Sequence, residues 1–143
     1  MGVQLVQNAD NSVGLVGDAT GGQGGFVTVS IPYTASFAST SIMTADRAYV
    51  VKAIRGSVDV AGTGGACTFS IYNTPSGTAG ASGTVMHTGT YNVAGTANTQ
   101  QTLTLATTTA AVGLAAGNRI YVALTGTPTS AVGNITVTLA PAS

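Results

Sequence analysis

The sequence predicts an all-β fold, a sandwich of two sheets built from eight short strands and preceded by an N-terminal arm. Thr occurs 24 times and Gly 20 times among the 143 residues. Short segments that alternate apolar and hydroxyl side chains are separated by Gly, Asn, Ser and Pro, which is typical of strands joined by tight turns. No run of ten or more residues repeats apolar side chains at helical spacing, so we expect little helix.

The first 25 residues differ from the rest of the chain. Apolar segments at residues 3–6 and 13–16 flank a turn-forming cluster at residues 8–11, which is the pattern of one small hairpin. Residues 17–25 have the Gly-rich composition of a flexible linker. We therefore expect an N-terminal arm with its linker at residues 1–25 and a β-sandwich domain at residues 26–143.

The eight predicted strands all lie in the sandwich domain. They are residues 26–31 (ending at Pro32), 37–43 (the weakest pattern), 49–60, 66–72, 84–88, 99–105, 119–125 and 134–139. Three of them predict a row of side chains on one face: Cys67, Phe69 and Ile71; Ile120, Val122 and Leu124; Ile135, Val137 and Leu139.

The longest predicted strand, residues 49–60, has an interrupted pattern. The side chains predicted to share one face are those at even positions: Val50, Ile54, Val58 and Val60. Lys52 breaks this alternation, which predicts a β-bulge or a strand end at that residue.

Charge is scarce in this chain. Charged residues make up 6% of the sequence, against an average near 25%, and the formal net charge is zero. Four basic residues against four acidic ones exclude a nucleic-acid binder that depends on bulk charge. Because nearly neutral surfaces associate, we interpret the chain as a subunit of an assembly. The alternative is a monomer kept soluble by its Ser, Thr, Asn and Gln side chains.

No pattern of catalytic or ligand-binding residues stands out. The Gly-rich residues 17–25 lack the Lys-Ser/Thr pair of a phosphate loop. His87 is the only histidine, and Cys67 shares a predicted apolar strand face. The four carboxylates suit turns, a surface ion pair and a strand end: Asp10, Asp18, Asp46 and Asp59. We therefore expect a non-enzymatic protein without cofactor or metal.

The N-terminal residues show neither the basic region nor the long apolar region of a signal peptide, and no segment is long and apolar enough to span a membrane. A single cysteine makes no internal disulfide. We expect synthesis in the cytoplasm and no membrane partner.

Two motifs carry a resemblance to a known family. Residues 73–79 read Asn-Thr-Pro-Ser-Gly-Thr-Ala and are followed by Gly83-Thr84-Val85-Met86. Residues 114–120 read Leu-Ala-Ala-Gly-Asn-Arg-Ile and lead into a strand, with Asn118 where the pattern has Asp. Over residues 47–140 this arrangement resembles small virion proteins of tailed bacteriophages, namely capsid decoration (cement) and head-fibre proteins.

The resemblance implies a β-sandwich, often a jelly roll, that binds the major capsid protein on the outer capsid surface, commonly as a homotrimer. It implies a virion location and carries over no functional residue. An arm can attach by adding to a partner's sheet edge, so we predict that capsid contacts come from its apolar residues. These residues are Val3, Leu5, Val6, Val13, Leu15 and Val16.

One alternative is a carbohydrate- or receptor-binding module of a phage fibre, because jelly rolls also form lectins. Only the pairs Tyr72-Asn73 and Tyr91-Asn92 suggest the exposed aromatic and polar loop tips that such a module needs.

Overall fold

The computed structural model describes Gln4–Gln7, Val13–Val16 and residues 25–143. Its strands are β1 (Gln4–Gln7), β2 (Val13–Val16), β3 (Val27–Thr34), β4 (Thr40–Thr44), β5 (Tyr49–Val60), β6 (Thr68–Thr74), β7 (Thr84–Val85), β8 (His87–Thr88), β9 (Tyr91–Asn92), β10 (Thr99–Leu105), β11 (Gly113–Leu114), β12 (Arg119–Thr125) and β13 (Val132–Pro141). A 3₁₀ turn spans Gly80–Ser82, and α1 is a single helical turn at Thr109–Val112. None of the helices within these described ranges is long and apolar enough to cross a membrane.

The N-terminal strands form a hairpin, as predicted. β1 and β2 pair antiparallel in a two-stranded sheet of their own, with Leu5 opposite Leu15. Val3 lies outside the described residues. The boundary between arm and sandwich at residue 26 stays a prediction.

The remaining strands form the predicted two-sheet sandwich, and their order is that of a jelly roll. One sheet, here called sheet I, has the order β3-β13-β5-β10-β8, with β11 also pairing β5. The other, sheet II, has the order β4-β12-β6-β7, with β9 also pairing β6. All these pairings are antiparallel, and most steps along the chain pass from one sheet to the other, as in two nested Greek keys; the exceptions are β6 to β7 in sheet II and β10 to β11 in sheet I.

The predicted strand at residues 84–88 crosses from one sheet to the other. Its first half, β7, pairs with β6 of sheet II, and its second half, β8, pairs with β10 of sheet I. Met86 lies at the crossing and is fully buried. Its N–H donates to the Ile71 carbonyl at 2.9 Å, and its own carbonyl accepts from the Ala106 N–H at 2.9 Å. The backbone therefore closes this side of the sandwich.

β5 contains two irregularities, one predicted and one not. Opposite β13 the pairing passes from Ala53 to Val51, which leaves Lys52 as the extra residue of a bulge, as its sequence predicts. A second shift leaves Asp59 unpaired between Val58 and Val60.

These shifts correct two of the four positions predicted to share one face. Val51, which is 2% exposed, lies on the inward face with Ile54 and Val58, whereas Val50 is only half-buried. Val60 is 46% exposed, because the shift at Asp59 turns it away from the core. Ile54 and Val58 share one face as predicted, and both are buried.

Other strand boundaries also differ from the prediction. β3 continues through Pro32 to Thr34, because it is an edge strand and an edge tolerates a residue without N–H. β4 begins only at Thr40, and residues 37–39 belong to the preceding connection. The two-residue strands β9 and β11 were not predicted, since they are too short to show a period.

An aromatic cluster fills the middle of the core. The Phe69 ring lies 4.9 Å from Tyr33, 5.8 Å from Tyr91 and 5.1 Å from Phe37, measured between centroids. The Tyr33 and Tyr91 hydroxyls both reach the carbonyl of Ser57, at 3.1 and 2.8 Å. Burial raises the pKa of both tyrosines, so both hydroxyls stay protonated and able to donate.

The lone histidine has a structural place beside the crossing strand. His87 is 6% exposed, and its Nε2 accepts the Ile71 N–H at 3.1 Å. The neutral ring must then carry its proton on Nδ1, which is buried without a hydrogen-bond partner. Burial lowers the pKa of His87 below its usual value, although the backbone of Thr88 and Gly89 opposes part of that shift.

We expect the protein to lose stability in mild acid because of His87. An unfolded histidine takes up a proton near pH 6.5, whereas the folded ring, with its lowered pKa, resists it. The unfolded state then binds more protons, so the free energy of unfolding falls as the pH drops below about 6.5. A protonated ring would also set its Nε2–H against the Ile71 N–H, which costs about 1–3 kcal/mol.

The measurement is urea unfolding at one protein concentration over the range from about pH 7.5 to about pH 5. His87→Gln keeps an acceptor near the Ile71 N–H but does not titrate, so it should remove most of this slope. An unchanged slope in the variant would assign the acid sensitivity to other groups.

Candidate functional site: interaction surfaces

One side of the sandwich leaves the core partly uncovered. We call it the open side; it consists of the edge strands β3 and β4 and their connection at residues 35–39. Six of the ten partly buried hydrophobic residues that pack against the core lie here: Val27, Val29, Ile31, Phe37, Ile42 and Met43. Among residues 25–143 the opposite side has no comparable row, because the crossing strand at residues 84–88 covers it.

The open side is also free of charge. No charged residue occurs from residue 19 to residue 45, a segment that includes both edge strands. Soluble proteins usually protect exposed edges with Lys, Pro, bulges or a covering segment. Of these devices β3 has Pro32, and the pairing of β4 with β12 has a shift at Ile120/Tyr121. Neither device covers the apolar row.

The charged residues of the described chain lie outside β3 and β4, although Arg119 of β12 donates to Ser41 Oγ of β4 at 3.4 Å. Arg47 and Asp46 form an exposed ion pair at 3.4 Å in the turn before β5, as predicted for a surface pair. The Tyr49 hydroxyl donates to Asp46 at 2.7 Å and holds the pKa of that carboxyl below its usual value. Three more charges, Lys52, Arg55 and Asp59, are exposed along β5.

The outer face of sheet I is a polar surface. Ser30, Thr136, Arg55 and Thr102 lie opposite one another across its four long strands, and Asn134, Ser57 and Gln100 form the neighbouring row. Hydrogen bonds between side chains join the rows, since Ser30 Oγ lies 2.9 Å from both Thr136 Oγ1 and Asn134 Nδ2. A shallow depression of about 310 Å³ lies here, lined by Arg55, Gly56, Ser57, Gln100, Asn134 and Thr136.

The two motifs that carry the family resemblance meet at one corner of the sandwich. The Asn73 side chain is buried and donates to the carbonyls of Ala110 and Gly113, at 3.0 and 2.8 Å. Its Oδ1 accepts from Asn118 Nδ2 at 2.9 Å. Arg119 donates to the Thr78 carbonyl at 2.5 Å and so holds the loop at residues 75–83 against β12.

This corner gives Asn118 a role that turn chemistry did not predict. An Asp at this position, which the family pattern has, would present an acceptor to Asn73 Oδ1. Asn73 has no way to turn its amide around without losing the two carbonyls to which it donates. The amide of Asn118 therefore supplies a donor to Asn73 Oδ1 that a carboxylate would not.

The structure separates the two residue pairs suggested for a carbohydrate module. Tyr91 and Asn73 are buried, Tyr72 is half-buried on the outer face of sheet II, and Asn92 is exposed. Within residues 25–143 and the two arm strands, no three His, Cys, Asp or Glu side chains approach closely enough to hold a metal. Cys67 is buried, as its strand pattern predicts.

The predicted capsid-contact residues lie in the arm. Leu5 and Val6 belong to β1, and Val13, Leu15 and Val16 belong to β2. The pairing of the two strands sets Gln4 opposite Val16 and Gln7 opposite Val13. Their role in capsid contact stays a prediction.

Comparison with known proteins gives one informative match. No protein-family model matches the chain, and no curated protein does either. Among solved structures, a chain of the "Cyanophage Pam1 capsid asymmetric unit" has a similar fold, with a TM-score of 0.51 and 13% sequence identity. The match covers 96% of this chain and 98% of that chain. It shows a shared fold over nearly the full length of both.

We expect Asn118→Asp to destabilise the protein by about 1–3 kcal/mol, because it removes a donor and sets two acceptors face to face in a part-buried place. Asn92→Asp is the matched control. Asn92 uses its Oδ1 to accept the Ala94 N–H, and a carboxylate makes the same bond. Urea unfolding of both variants checks this, and equal stabilities would mean that the Asn73–Asn118 bond contributes little.

Proposed function

We propose that this protein is a structural component of a bacteriophage virion that binds the outer surface of the capsid through the major capsid protein and stabilises or decorates it. The observation that carries the proposal is the fold match with a chain of a cyanophage capsid asymmetric unit, which spans nearly the whole of both chains. Two proteins with the same structural role would share a fold over the full length of both chains, as these two do, although jelly rolls serve many functions.

The composition supports the same role. A zero formal charge and a hydroxyl-rich surface suit a protein whose surface is covered in an assembly. The described residues bring together the two turn motifs that resemble decoration and head-fibre proteins. We further propose a homotrimer, since closed symmetry hides neutral surface without leaving free ends.

We propose that the arm makes the attachment. Burying one Val or Leu side chain fully contributes roughly 1.5–3 kcal/mol before the cost of ordering the segment. The arm has six such residues and no basic residue, so apolar burial is its main source of affinity.

Removing residues 1–20 should leave the sandwich folded and weaken capsid binding at least about tenfold, which corresponds to about 1.4 kcal/mol. The measurement is co-sedimentation with decoration-free capsids, after circular dichroism has confirmed an unchanged β spectrum. The full-length variant Leu5→Ser/Leu15→Ser controls for chain length, and it should bind more weakly as well.

Full binding by the truncated protein would place the attachment surface on the sandwich. Loss of folding would mean that β1 or β2 belongs to the core and that the domain boundary at residue 26 is wrong.

A carbohydrate- or receptor-binding module of a phage fibre is the second candidate. One observation favours it: the depression on sheet I presents hydroxyl, amide and guanidinium groups that suit the hydroxyls of a sugar. A glycan array separates the two candidates, because a capsid-binding protein without a glycan ligand gives no specific signal there.

A further inference from the structure

We infer that the crossing strand at residues 84–88 is released from the sandwich in mild acid while the two sheets stay folded, and that protonation of His87 releases it. This is a conformational response of the fold to pH, and it does not depend on the proposed function. It is distinct from the loss of global stability in acid, because only the residues up to Gly89 leave their places.

His87 replaces a missing backbone acceptor at the point where the chain changes sheets. In a regular antiparallel ladder, Ile71 would exchange two hydrogen bonds with one residue of the next strand. Met86 makes only the first of them: its N–H donates to the Ile71 carbonyl at 2.9 Å, but its own carbonyl accepts from the Ala106 N–H instead. The Ile71 N–H donates to His87 Nε2 at 3.1 Å. The imidazole ring therefore completes the ladder of β6.

The bond between Ile71 and His87 exists only while Nε2 is unprotonated. An imidazolium ring has two N–H donors and no acceptor, so proton uptake leaves the buried Ile71 N–H facing a second donor. The ring also becomes a charge in a place where it is 6% exposed. Release of the strand into water removes both penalties. Protonation therefore favours the released strand over the docked one.

His87 is the group that titrates in mild acid on this side of the sandwich. The elements β6, β10 and α1 pack against the crossing strand, and none of the three contains Asp, Glu, Lys or Arg. Tyr72 lies on the outer face of β6, and β9, the next strand along the chain, adds Tyr91. Tyrosine ionises near pH 10, so neither side chain changes its charge in mild acid.

The crossing strand is held more weakly than the long strands. β7 and β8 have two residues each, and Met86 and His87 are the only buried residues from 84 to 89. Gly89, with a φ of +78°, lies in the turn at the far end, and Tyr91 beyond it is anchored in the aromatic cluster. Segments with few buried contacts detach at a lower free energy than the whole fold. Release can therefore end at Gly89.

Native-state hydrogen exchange on the full chain tests the inference. Three amides report on the crossing strand: Ile71, Met86 and Ala106. The amides of β13, which lies between β3 and β5, report on global unfolding. At low urea concentrations the three reporter amides should exchange by a route that urea barely affects, because little surface is exposed. The β13 amides should exchange faster as urea is added.

The protection of the three reporter amides should fall by up to about tenfold between about pH 7.5 and about pH 5.5, after correction for intrinsic exchange rates. This size follows because the released His87 takes up its proton near pH 6.5, whereas the docked ring resists it. His87→Gln keeps an acceptor for the Ile71 N–H but does not titrate, so its reporter amides should show no such fall.

Gly89→Ala is the matched control. A Cβ at this position meets no atom within 4 Å, but the φ of +78° disfavours any residue other than glycine. The variant should therefore release the strand more often at both pH values, while it keeps the wild-type pH dependence.

Three results overturn the inference. The reporter amides could share the protection and urea dependence of the β13 amides, which would mean exchange by global unfolding. Their protection in the wild-type protein could be the same at both pH values. His87→Gln could keep the wild-type pH dependence, which would assign the response to another group. The first two are read from the wild-type protein, so the test stands even if His87→Gln does not fold, and none of the three bears on capsid binding.

Discussion

The closure of only one side of the sandwich is the constraint on which the rest of the structure depends. Two stacked sheets have two long sides where their edge strands meet, and core residues along each side need cover. The chain covers one by passing from sheet II to sheet I at Met86, with backbone hydrogen bonds to both sheets. It leaves β3 and β4 as edges on the other, so apolar side chains stay half-buried there.

Alternation of apolar and hydroxyl residues predicted the sandwich well because most strands are regular. β10 and β12 have the predicted bounds, and the inward row Ile135, Val137 and Leu139 of β13 is fully buried. A bulge in β5 could be predicted only where a residue type interrupts the alternation. Lys52 breaks its pattern and marks a bulge, but the shift at Asp59 leaves the alternation of residue types intact, so Val60 was placed on the wrong face.

Contacts between distant side chains were beyond prediction from the sequence. The turn motifs at residues 73–79 and 114–120 were recognised separately, and each is compatible with Asn or Asp by turn chemistry alone. Only the fold brings Asn118 to Asn73, and that contact distinguishes the amide from the acid. The open side could not be predicted from the sequence either. The strand pattern at residues 37–43 is weak and the preceding strand is expected to stop at Pro32, so nothing in the sequence indicates that β3 and β4 are adjoining edges.

The low charge of the chain acquires a physical explanation from this arrangement. Soluble monomers usually carry charged residues on exposed edge strands, where the charges prevent pairing with other chains. This chain has eight formal charges, enough to place a few on β3 or β4. Instead the charges of the sandwich lie along β5, in the turn between β4 and β5, and on Arg119 of β12, which donates to the Thr78 carbonyl and to Ser41 of β4. Solvation is thus left largely to the hydroxyl and amide rows of sheet I.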